Sequence, residues 1–120
     1  MRGIRRLTAP LLAALLLATW ATAAWAAGNA GTRGIKKVTH GNSQRLFIVG
    51  DSPWQNPDVC DVNHQVVLVA GRLANEAVYR EMFAMIMSAH LAGRSVNVRV
   101  KGCIDIQGET IPVVNEVTVR

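Results

Sequence analysis

The stretch Gly93 to Cys103, "GRSVNVRVKGC", most constrains what this chain can fold into. It follows a long apolar segment, "EAVYREMFAMIMSAHLA", whose residues recur at helical spacing. Asn75 is placed to cap the start of that helix, Glu76 suits the positive end of its dipole, and Gly93 suits the left-handed position just beyond its end. Val96, Val98 and Val100 then alternate with Asn97, Arg99 and Lys101, the period of a half-buried strand. A single helix must therefore re-enter a sheet at once.

The remaining text is strand-like. "IKKVTH", the turn "HGNS" and "QRLFIVG" read as a hairpin that closes at Gly50, and "DSPWQNPDVCDVNH" reads as a long loop. "QVVLVAG" is apolar on both faces, so it should be a strand covered on both sides. "GCIDIQGET" supplies a turn with Gly102 and Gly108, which places Cys103 just past the fourth strand, and "IPVVNEVTVR" is the last strand. In that strand Asn115 breaks the alternation between Val113 and Val117, which a bulge would explain. The order is strand, strand, strand, helix, strand, strand. The expectation is a mainly β fold with one helix, an OB-fold-like five-stranded barrel. The alternative is an α+β sandwich with the helix on one antiparallel sheet.

Residues 1–26 carry Arg2, Arg5 and Arg6, an apolar centre and a small-residue end, the plan of a signal peptide cleaved between Ala26 and Ala27. The alternative for these residues is a retained anchor helix. Residues 27–34, "AGNAGTRG", read as a flexible lead-in, and 35–120 as one domain. Removing the signal takes three arginines from a formal charge of +5 and leaves +2, so the chain lacks the strongly basic balance of a nucleic-acid binder. Strand aromatics on a basic groove are also missing from the pattern. After cleavage the expected location is periplasmic or secreted, with no membrane contact. Cys60 and Cys103 are the only cysteines. An even count in an exported chain implies that they pair.

Few residues suggest chemistry. Asp58, Asp61 and His64 have spacing that a metal site uses, yet a loop aspartate beside a cysteine is more often a turn former. Ser43, Ser52, Ser88 and Ser95 lack a nucleophile-elbow context, and His40, His64 and His90 are scattered. The expectation is a non-catalytic protein without a cofactor or metal. The helix is apolar over more than one stripe, with Val78, Met82, Met85, Ile86 and Ala89 on one side and Tyr79, Phe83, Met87 and His90 on a second. Two uses follow. In the first, Tyr79, Phe83 and Met87 serve self-association or a larger protein partner. In the second, Trp54 in the loop and Arg99 and Lys101 on the fourth strand hold a ligand.

The segment "REMFAMIMSAHLAGRSVNVRV" resembles the helix-to-strand junction of the OB-fold B subunits of bacterial A-B toxins, particularly the subtilase-cytotoxin type. It is also similar to small uncharacterised exported bacterial proteins with the same layout. The match covers about a third of the mature residues, and the rest only in element order. The resemblance implies a ring-forming binding subunit for cell-surface glycans, with the helices toward the centre of the ring. No glycan-contacting position of that family aligns to a motif in this chain, so no site residue is carried over from it.

Overall fold

The computed structural model describes residues 27–120; the signal peptide expected over 1–26 lies outside them. The elements are β1 (Gly28–Gly41), β2 (Arg45–Gly50), β3 (Gln65–Val69), a short 3-10 turn (Ala70–Arg72), α1 (Glu76–Leu91), β4 (Ser95–Ile106) and β5 (Glu109–Val119). The five strands close into a ring in the order β1-β2-β3-β5-β4, with β4 returning to β1. Every strand thus has a neighbour on both sides, unlike the sandwich alternative, whose sheet would keep two free edges.

Closure depends on β1. Its second half, from Ile35 to Gly41, pairs with β2, whereas Gly28 to Gly34 pair with β4 from Val100 back to Ser95. Residues 28–34 are therefore not a flexible lead-in, and the fold begins at Gly28 rather than Ile35. These residues lack apolar alternation because backbone pairing holds them. Register shifts at Ala30 and Lys36 bend the strand from one partner to the other, and Ala30 is fully buried in the core.

The expected bulge at Asn115 is present. Arg99 pairs with Glu116 and Val100 with Val114, which leaves Asn115 as the extra residue. A second irregularity between Val100 and Cys103 contains Gly102, at φ +74°. Cys103 lies within β4 and not past it, because the strand resumes after this bulge and runs to Ile106. The actual turn is Gln107-Gly108, with both residues at positive φ, the requirement of a tight two-residue hairpin.

The ring interior is filled by Leu46, Ile48, Val66, Leu68, Val96, Val98, Val100 and Val114, with Tyr79, Ile86 and Ala89 of α1 packed on them. On the other face of β3, Val67 and Val69 join Val62, Ile111 and Val113, with Phe47, Ile104 and Ile106 around them. Two clusters on opposite faces explain why β3 is apolar at every position from Val66 to Val69.

Helix α1 is delimited as its sequence requires. The Asn75 side chain accepts from the Val78 N–H at 3.0 Å. At the other end Gly93 has φ +66°, its N–H donates to the His90 carbonyl, and the Arg94 N–H donates to the Ala89 carbonyl at 2.8 Å. That bond pair is the Schellman arrangement, which needs a left-handed residue where Gly93 stands. The chain can then enter β4 at Ser95.

Among the described residues no helix is long and apolar enough to cross a membrane.

Candidate functional site

The loop between β2 and β3 is tightly fastened. Cys60 and Cys103 form a disulfide with their Cα atoms 5.8 Å apart. Asn56 brackets Cys60, donating to its carbonyl at 2.6 Å and accepting from its N–H at 2.8 Å. The Asp58 carboxylate accepts from the Gly102 N–H at 2.7 Å, inside the second irregularity of β4. Asp61 accepts from the Thr110 N–H at 3.0 Å, and its own N–H donates to the Thr110 hydroxyl. Asp58 and Asp61 are thus committed to the backbone as turn residues, and no group of three His, Cys, Asp or Glu side chains suited to a metal ion occurs among the described residues.

These bonds have an electrostatic consequence. The Thr110 N–H, and then its hydroxyl, hold the Asp61 carboxyl below its ordinary pKa. Glu76 is also lowered, chiefly by the Gln44 side-chain amide and then by Arg80. A carboxyl with a depressed folded-state pKa contributes stability that is complete above its unfolded value and disappears as pH falls through the folded one. The loss is therefore expected below about pH 4, the ordinary carboxylate range. Denaturant midpoints measured through the acid range should decline less steeply for Asp61→Asn and Glu76→Gln than for the unchanged protein. Parallel curves would exclude this linkage.

Trp54 is not a ligand platform. It is 2% exposed and belongs to the interior cluster, where its ring lies against Gly50. Its loop leaves β2 and returns to β3 at the end of the ring opposite the one from which the chain enters α1, and two bonds seat it there: Trp54 N–H to Asn63 carbonyl and Gln55 N–H to Ala30 carbonyl. Arg99 and Lys101 do project outward from β4, but the three residues do not converge. Arg99 sits opposite Glu116 and donates to the Ala27 carbonyl. Lys101 instead borders a cleft of about 210 Å³ with Arg72 and Asn115, floored by Val113 and Val114. Arg72 also donates to the Cys103 carbonyl at 3.2 Å. Among the described residues neither cation of this cleft has a carboxylate partner.

The helix divides its apolar surface differently from the sequence expectation. Tyr79 is buried in the core, and Phe83 and Met87 are half-buried, so these three do not form an exposed patch. Burial pushes the Tyr79 phenol up, which keeps it protonated. The outward face carries Ala77, Glu81, Ala84, Met85, Ser88, Leu91 and Ala92. Past Glu81 it has no charge, and Leu91 is 82% exposed.

A pocket of about 250 Å³ lies between the first half of α1 and the β1–β2 hairpin, lined by His40, Gln44, Glu76, Tyr79, Arg80 and Phe83. Gln44 donates to the Glu76 carboxylate at 2.9 Å and straps the hairpin to the helix. Glu76 pairs in turn with Arg80 at 3.3 Å. His40, Gln44, Glu76, Arg72 and Asn115 were not legible as site residues. Gln44 and Glu76 are separated by 32 positions, and no local pattern reports such a pairing.

Compared with known proteins, the chain matches no family model, no curated protein and no solved structure.

Proposed function

We propose that the chain is an exported, non-catalytic interaction protein of the bacterial envelope or secretome, built on an OB-fold-like barrel, whose partner on α1 is a second copy of itself. The strand order, the position of the helix between β3 and β4, and the disulfide support the fold and an oxidising periplasmic or extracellular location. One observation carries the assembly: the outward face of α1 from Ala84 to Ala92. Ala84, Ser88 and Ala92 form one ridge at i, i+4 spacing, and Met85 and Leu91 flank it. Ridges of that kind interdigitate in helix pairs, and small residues allow close approach. Self-association brings like charges together, and this face has none to oppose it. A helix-to-helix contact also agrees with the toxin-subunit resemblance, though through residues other than Tyr79, Phe83 and Met87.

The measurement is sedimentation velocity over a range of micromolar concentrations. The unchanged protein is expected to associate, and Ala84→Glu or Leu91→Glu to remain monomeric with an unaltered fold, since exposed substitutions of this kind change stability by only about 0.5 kcal/mol or less. A monomer at every concentration would sink the reading.

The basic cleft favours a second reading, a toxin-B-like binding module for a cell-surface glycan. Lys101 would serve there with Arg72 and Asn115, and without Trp54.

A further inference from the structure

The cleft that carries the second reading lies where the sheet loses its regularity. β3 and β5 are in register only at Val67 and Val113, and beyond Val69 the chain leaves the sheet for the 3-10 turn that holds Arg72. On the other side of β5 the ladder with β4 is broken twice, at the extra residue Asn115 and again between Val100 and Cys103, the interval that contains Lys101. Bulges re-aim side chains, and these two border one cleft. Arg72, Lys101 and Asn115 thus reach the same space from three elements of the fold.

The walls that a guest can touch are polar. Val113 and Val114 form the floor but are only 2% and 1% exposed, whereas Arg72 and Lys101 are exposed and Asn115 is half-buried. An apolar guest finds little surface to cover. Neither cation is neutralised from within the described residues, because the acids of the flanking segments are placed elsewhere: Asp58 on the Gly102 N–H, Asp105 on the Gly108 N–H, and Glu116 opposite Arg99. Arg72 uses one N–H on the Cys103 carbonyl, which steadies the guanidinium against a strand that the disulfide pins, and the rest of its donor fork is left over.

Charge and shape together select the guest. Two positive charges without an internal partner match a dianion. A phosphate monoester carries about −1.5 to −2 near neutral pH and three acceptor oxygens, which suits the three donor side chains of this cleft. A carboxylate or a sulfate ester brings a single charge. Arginine also recognises phosphate through paired N–H groups, a geometry that a lone ammonium lacks. A cavity of about 150 Å³ holds benzene. The cleft of about 210 Å³ therefore takes a phosphate, which is smaller, together with part of the group that carries it.

We infer that the cleft binds the phosphate monoester of a sugar, an inference that rests on the glycan reading and gives its ligand a chemical class. Binding is tested by titrating the oxidised protein with glucose 6-phosphate, glucose 6-sulfate and glucose while following amide resonances by two-dimensional NMR. Saturable shifts centred on Arg72, Lys101 and Asn115 are expected for the phosphate, with the sulfate about tenfold weaker and glucose weaker still. The phosphate ester loses its second charge near about pH 6, whereas both cations of the cleft keep theirs, so at about pH 5 its affinity should fall to that of the sulfate. Lys101→Met and Asn115→Asp should each weaken the phosphate about tenfold or more. Arg99→Met removes a cation from the same strand outside the cleft and should change nothing.

The inference is overturned if glucose 6-sulfate binds as tightly as the phosphate, or if Arg99→Met weakens binding as much as Lys101→Met, which would mean diffuse charge attraction only. A glycan array on which only neutral sugars are bound overturns it and leaves the glycan reading standing. No saturable shift at tens of millimolar phosphate ester, together with a silent array, removes both.

Discussion

Breaking the Cys60–Cys103 bond is expected to lower stability by roughly 4 kcal/mol, the value for closing a loop of about 44 residues in the chain-entropy account. For a domain of this size each kcal/mol moves the melting temperature by several degrees, so the reduced protein should melt about 20 °C lower. The bond joins the β2–β3 loop to the irregular part of β4, where the Gly102 N–H already bonds Asp58. The backbone bonds of Asn56, Asp58 and Asp61 remain after reduction and hold part of the loop. Thermal unfolding of the oxidised protein beside Cys60→Ala/Cys103→Ala measures the difference. A drop of only a few degrees would mean that those bonds, and not the disulfide, fix the loop in the folded chain.

How well the sequence predicted each element depended on whether its determinants were local. Asn75 and Gly93 mark the ends of α1 because capping is decided within four residues, and both were legible. The alternation from Val96 to Val100 marked β4 for the same reason, and the break at Asn115 marked a bulge that the pairing of Arg99 with Glu116 and Val100 with Val114 bears out. Residues 28–34 were not legible as a strand. Ala30 alone turns a side chain into the core there, so the segment has no hydrophobic signature, and its strand character comes from β4, about seventy residues away.

The helix faces show a different limit. α1 is apolar around so much of its circumference that spacing alone does not say which arc faces in. The arc through Tyr79, Ile86 and Ala89 is inward, and the neighbouring arc through Ala84, Met85 and Leu91 is exposed. Likewise, a tryptophan among prolines reads the same whether it is displayed or tucked under the loop. Only the bonds from the loop to Ala30 and Asn63 decide that Trp54 points inward.

Trp54→Ala should accordingly cost about 3–5 kcal/mol, comparable with losing the disulfide, because it empties a large site in a close-packed interior. The neighbouring backbone has little freedom to fill the space: a Cβ on Gly50 would lie 2.9 Å from the Ser52 carbonyl oxygen and 3.1 Å from the Trp54 ring, so this corner is already tight. Trp54→Phe should cost much less. The indole N–H is buried without a partner, so phenylalanine removes an unpaired donor together with part of the ring, and the two effects oppose each other. Urea denaturation of the two variants gives the comparison. The same pair separates structure from recognition, since a tryptophan that stacked on a sugar would lose ligand affinity when replaced by alanine while stability stayed near that of the unchanged protein. The buried position requires the reverse: a large loss of stability for alanine, a small one for phenylalanine, and any ligand held at the Lys101 cleft retained by the phenylalanine variant. Equal stability of Trp54→Ala and the unchanged protein would contradict the interior placement and return Trp54 to the surface.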